Sequence, residues 1–182
     1  MKITYQYLIN KKEYSFLKEN KYLNDRLLFL CVYGSHALGT NVESSDLDIR
    51  GVFLDDIAML SGVDRFEQFE DENTDTVIYS LSKFIKLSMS CNPNIIDLYF
   101  LDDEDYLFIS PLGKRLLDNR ALFLSKKAIF TFGGYANMQL NRLENALARN
   151  EDISSQKDTL EHINRTVSNV IMNWKQDRKS VV

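Results

Sequence analysis

Cysteine and proline each occur only twice in the 182 residues, and glycine seven times. Cys31 and Cys91 lie far apart in apolar surroundings, which argues against a disulfide framework or a zinc cluster and suits a reducing compartment. With so little proline and glycine there is no candidate linker, and the chain shows no internal repeat or low-complexity block. Neither sign of charge dominates: 22 basic residues against 26 acidic ones leave a net charge of -4. That balance excludes a global pull toward nucleic acid or an anionic surface, so any RNA or DNA contact needs a local patch. Long hydrophobic runs are also missing. The longest, around Leu27 to Tyr33, is far too short to cross a bilayer, and Met1-Lys2-Ile3-Thr4-Tyr5 lacks the basic-then-apolar pattern of a secretory leader. The expectation is a soluble cytoplasmic protein with no membrane partner.

What is present is 45% hydrophobic residues, enough for one ordinary core. Tyr7 to Asn20 reads as an amphipathic helix with Leu8, Tyr14, Phe16 and Leu17 on its apolar side. Leu27 to Tyr33 is an uninterrupted apolar run of strand length, which predicts a strand buried on both faces. Asp46 to Leu54, with Leu47, Ile49, Val52 and Phe53 apolar and Asp46, Asp48 and Arg50 on the alternate face, predicts a second strand. Phe66 to Phe69 and Asp75 to Tyr79 read as two more around the acidic loop Glu70-Asp71-Glu72-Asn73. Leu81 to Ser90 has helical spacing, Asn92-Pro93 resets the chain, and a short helix follows over Asn94 to Phe100. Ser110-Pro111 looks like an N-cap with proline in the first turn. Helices are then expected over Leu112 to Asp118, Lys126 to Arg149 and Gln156 to Arg178, the last two as an antiparallel pair around Asn150-Glu151-Asp152. The organisation predicted is a core over 1–109 with a helical region, 110–182, packed on it.

The chemically informative stretch runs from Gly34 to Gly51. A buried strand that ends in Gly34-Ser35 has to turn sharply there, and glycine lets backbone and ligand approach closely. Ser35 then opens a short helix, whose free N–H groups and serine hydroxyl suit phosphate oxygens. Thr40 is placed to close that loop. Asp46 and Asp48, one residue apart on a strand, would project from one face and repel each other unless a cation sits between them; Mg²⁺, which prefers oxygen ligands, is the natural candidate, with Mn²⁺ as a substitute. Asp-x-Asp alone is weak, because alternating charges are common on exposed strands, and Gly-Ser is weaker still. The combination is far more specific: an apolar strand, Gly-Ser, ten intervening residues, then Asp-x-Asp flanked by apolar residues. Arg50 shares the acidic face by alternation and is a candidate for phosphate contact or for pairing with the acids.

Tyr33-Gly34-Ser35 through Ser45-Asp46-Leu47-Asp48-Ile49 resembles the signature of the DNA polymerase β-type nucleotidyltransferase superfamily. Gly34 to Thr40 with Ser44 to Phe53 is similar to one branch, the YcgL-like predicted nucleotidyltransferases of bacteria and large phages, which includes an RNA-ligase-associated group. Tyr79, Lys83-Phe84, Asn92-Pro93 and Asp97 match the branch's later pattern, with Asp97 where Glu is usual, and Phe132-Gly133-Gly134-Tyr135-Ala136 with Gln139 is a weaker echo.

The resemblance implies an α+β fold, a small mixed sheet backed by helices with a C-terminal helical region. It also implies transfer of a nucleoside monophosphate from an NTP to an acceptor hydroxyl, with Mg²⁺ held by Asp46, Asp48 and a third carboxylate on a neighbouring strand. Asp75, which opens the strand to Tyr79, is the first choice over Glu70 and Glu72. In this reading Gly34, Ser35, Thr40 and Arg50 bind the nucleotide and an RNA end is the acceptor. A protein hydroxyl modified with AMP or UMP, and a non-catalytic nucleotide-binding or inhibitor protein of the same fold, are the competing readings. His36 reads as a hydrogen-bonded filler and His162 as solvated surface. Lys83 and Lys86, with Tyr135, Asn137 and Gln139, are weaker candidates for substrate contact.

Overall fold

The computed structural model describes residues 3–37, 39–42 and 45–149, with side chains to 145. The chain divides into two compact units, Met1–Ala128 and Ile129–Val182. The first holds five strands: β1 (Leu27–Tyr33), β2 (Asp48–Phe53), β3 (Gln68–Asp71), β4 (Thr76–Ser80) and β5 (Tyr106–Ile109). They form one mixed sheet in the order β3-β4-β2-β1-β5, in which only β2 and β4 run parallel. The expected α+β class, with a small mixed sheet backed by helices, is what forms.

β1 lies at the sheet's interior and is buried through its first six residues, as its unbroken apolar run requires. On one face, Leu30, Ile49, Phe53 and Ile78 pack against Leu8, Tyr14, Leu17 and Leu23 of the N-terminal segment. The single helix expected over Tyr7 to Asn20 is instead broken into α1 (Tyr5–Ile9), a 3-10 turn (Lys12–Tyr14) and α2 (Phe16–Glu19). Breaking the helix lets both Leu8 and Leu17 be almost fully buried on a twisted sheet.

The other face carries Phe29, whose ring meets Phe84 at 5.7 Å and Tyr106 at 6.0 Å. Phe84 belongs to α5 (Leu81–Met89), which follows the short α3 (Gly34–Ala37) and α4 (Ile57–Leu60) and precedes α6 (Pro93–Asp97). The Ser80 hydroxyl accepts from Lys83 N to cap α5, and Pro93 opens α6. Ser110 caps α7 (Pro111–Asp118) in the same way, its hydroxyl accepting from Gly113 N at 3.0 Å. α7 presses on β1 so closely that a Cβ at Gly113 would run into the Leu28 carbonyl. α7 therefore belongs to the first unit.

α8 (Lys127–Arg149) begins at the end of that unit, and its part from Ile129 onward belongs to the second. The helix expected over Gln156 to Arg178, the turn at Asn150-Glu151-Asp152 and His162 lie outside the described residues. Among the described residues no helix is long and apolar enough to cross a membrane.

Candidate active site

β1 ends at Tyr33, opposite Asp48, the first residue of β2. The chain then turns through Gly34 at φ +66, a left-handed conformation that suits glycine. A Cβ there would collide with Asp48 Oδ2 and stand 3.0 Å from Asp48 Cγ. The missing side chain is thus the space into which the Asp48 carboxylate folds, and it sets that carboxylate directly on the Gly34-Ser35 turn. Thr40 closes the turn through its N–H to Ser35 O at 2.9 Å, with its hydroxyl donating to the same oxygen at 3.5 Å. His36 Nε2 lies 3.4 Å from Ser45 O and ties α3 to the return of the loop, the filler role expected of it.

β2 presents Asp48 and Arg50 on one face and buries Ile49 on the other. Asp46 departs from the expected pattern, because it is exposed and precedes the strand, which starts at Asp48. The cause is the turn at Gly34: with the Tyr33–Asp48 pair the backbone of β1 ends, and nothing remains on that side to pair with residues 46 and 47. Asp46 nonetheless stays close enough for its charge to act on the Asp48 carboxyl.

Asp75 reaches the site from the parallel neighbour. It stands just before β4 at φ +43, and its carbonyl accepts Ile49 N at 3.1 Å. Its carboxylate shares a donor with that of Asp48, since both accept from Arg50 Nη2. The Asp48 carboxyl is held above its ordinary value of 3.8, first by burial, then by Asp75, with Asp46 adding to the rise and Arg50 opposing it. Glu70, one of the two rival third acids, instead accepts from the Gln68 amide on β3.

Arg50 lies between the acids. Its Nη2 donates to Asp48 Oδ1 at 3.1 Å and Asp75 Oδ1 at 3.2 Å, while Nη1 donates to the carbonyls of Ile49 at 2.9 Å and Asp75 at 2.6 Å. Sequence reasoning placed Arg50 on the right face and left its partner open; the structure directs its guanidinium to the acids. Among the described residues, no three carboxylate or imidazole groups already encircle a cation position. The donor set itself is hard oxygen with surplus negative charge, and so suits Mg²⁺.

One residue of this corner was not anticipated. The Tyr33 ring lies under the Arg50 guanidinium at 5.8 Å, and its hydroxyl donates to Asp97 Oδ2 at 3.4 Å. The available signal was register, since Tyr33 shares the alternate face of β1 with Phe29 and Cys31 and ends level with Asp48. The Asp97 carboxyl is raised by desolvation, which the Tyr33 hydroxyl partly offsets. Lys83 and Lys86 do not join this group. They line a cavity of about 670 Å³ with Asp55 and Ser82, at the far ends of β2 and β4, where Lys83 pairs with Glu67 at 3.7 Å. Tyr135, Asn137 and Gln139 lie in the second unit.

No curated protein and no solved structure matches this chain. The sequence model of the RNA repair pathway DNA polymerase beta family does match, over residues 9–165. That span covers the sheet, the Gly34-Ser35 turn and all three aspartates, so the chain belongs to the RNA repair pathway DNA polymerase beta family.

Proposed function

We propose that the protein transfers a nucleoside monophosphate from an NTP to a hydroxyl at an RNA end, with Asp46, Asp48 and Asp75 holding Mg²⁺. The observation that carries this reading is the seating of Asp48 in the space left by Gly34, with Asp75 brought beside it by the parallel pairing of β2 and β4. The Gly34-Ser35 turn and a pair of mutually repelling acids thereby share one corner. Packing sets the backbone register but does not call for acids at these two positions, and their closeness raises the cost of ionising Asp48.

Bound magnesium would polarise the α-phosphate and make the attacking hydroxyl more acidic. The chain's own residues do the rest. The Ser35 hydroxyl and the N–H groups of its turn donate to phosphate oxygens, and Thr40 keeps the turn closed. Asp75 is the more exposed carboxylate, 51% against 22% for Asp48, and takes the proton from the acceptor hydroxyl. The acceptor oxygen forms its bond to the α-phosphorus as the bond from that phosphorus to the bridging oxygen breaks. Pyrophosphate leaves with the electron pair. The family's RNA repair pathway supports an RNA acceptor.

The test is incubation with each of the four α-labelled NTPs, Mg²⁺ or Mn²⁺, and a mixture of RNA and protein. Label should enter RNA with release of pyrophosphate, and Asp46→Asn and Asp48→Asn should each abolish it while remaining folded. Undiminished labelling in either variant would defeat the assignment, and label confined to protein would move the acceptor to a protein hydroxyl.

A further inference from the structure

Arg50 makes four hydrogen bonds with one guanidinium, and its side chain is only 17% exposed, so this is not a loose rim pair. Two of those bonds go to backbone carbonyls. They lock the guanidinium to the junction of β2 and β4, including the left-handed residue Asp75. The other two use one oxygen from each acid, Oδ1 in both cases. For Asp48 the consequence is directional, because with Oδ1 held by Arg50 the remaining oxygen, Oδ2, is the one laid against Gly34 and the phosphate turn.

We infer that Arg50 is a positioning residue and resident counter-cation: it holds Asp48 and Asp75 by one oxygen each and lowers the site's affinity for a free divalent ion. The inference rests on the nucleotidyltransferase reading above. Two aspartates bond one guanidinium and the charge of Asp46 acts on Asp48, which leaves surplus negative charge to attract a cation but lets the acids coexist without one. A dication has to bind beside a fixed positive charge, and it has to use the oxygens Arg50 leaves free or displace its Nη2 bonds. The triphosphate of an incoming NTP adds negative charge that offsets this repulsion. Productive binding is thereby biased toward the metal and nucleotide together, and away from metal alone.

The experiment is a Mn²⁺ titration of the full chain without nucleotide, read by the electron paramagnetic resonance signal of free Mn²⁺, alongside thermal melts with and without the ion. Arg50→Met and Arg50→Gln should bind Mn²⁺ about tenfold more tightly than wild type, since each removes a unit charge beside the site. They should melt lower without metal and show a larger metal-dependent rise. Arg50→Lys keeps the charge and should restore near wild-type affinity, which a purely structural role for the guanidinium would not produce. Asp48→Asn, alone and combined with Arg50→Gln, reports on the metal site itself. Unchanged or weaker Mn²⁺ binding in both neutral variants, with Asp48→Asn abolishing it, would overturn the role of Arg50 and leave the metal reading standing. No Mn²⁺ binding in any variant would overturn both.

Discussion

Gly34→Ala is the substitution most directly tied to the site's geometry, and its cost divides into two separable parts. Holding a non-glycine residue at φ +66 costs about 1–2 kcal/mol whatever surrounds it. The new methyl would also overlap Asp48 Oδ2 and sit 3.0 Å from Cγ, so the carboxylate has to move and its bond to Arg50 Nη2 is disturbed. Overpacking of this kind costs about 1–3 kcal/mol, which brings the expected loss to roughly 2–5 kcal/mol. The two parts are distinguished by repeating the substitution in an Asp48→Ala background. There the offending carboxylate is gone, and the nearest remaining atom, the Cβ of residue 48, stands at an ordinary 3.5 Å. Only the backbone part, about 1–2 kcal/mol, should survive. Urea denaturation of wild type, both single variants and the double variant gives the coupling energy, expected at about 1–3 kcal/mol. An equal cost in the two backgrounds would refute the claim that Gly34 exists to seat Asp48. A cost under about 0.5 kcal/mol would refute the strained turn as well.

Gly113→Ala should be more damaging, because its Cβ would overlap the backbone oxygen of Leu28 and lie 2.7 Å from that carbonyl's carbon, with no flexible side chain to yield; loss of soluble protein or a fall of more than about 3 kcal/mol is expected on denaturation. The pH dependence follows from Asp48. Its native carboxyl binds a proton more tightly than the unfolded chain, whose value is the ordinary 3.8, so metal-free stability should fall as pH rises through the window from 3.8 to the raised native value and level off above it. Asp48→Asn should remove that component, so comparing urea midpoints of the two proteins between about pH 4 and pH 7 checks the sign.

Much of the first unit could be read from sequence because its signals are local. The apolar run Leu27–Tyr33 permits only a doubly buried strand, and Ser110-Pro111 states a helix start in two residues. β5 escaped notice because its four residues follow Asp102, Asp103, Glu104 and Asp105, which mask a short edge strand, and because its pairing with β1 is long-range. The break in the N-terminal helix was hidden for a related reason. Periodicity in that segment records which residues are apolar, whereas the break records the curvature of a sheet made by residues far away.

The site divides along the same line. Asp48, Arg50 and the Gly34-Ser35 turn belong to consecutive pieces of chain, and alternation placed the first two on one face. Whether Asp75 meets them depends on β4 lying parallel to β2 in a register that sets Thr76 opposite Ile49. That register is imposed by burial of Ile49 and Ile78 on the opposite face, and a one-residue slip would expose them. The same core residues that stabilise the sheet therefore force two carboxylates together on its other side. Arg50, fixed by backbone carbonyls at that junction, is what makes the forced encounter tolerable. A charge cluster created by packing and restrained by one cation can neither drift apart nor neutralise itself fully. On the proposed reading, the acids are accordingly held ready for a ligand that brings further positive charge.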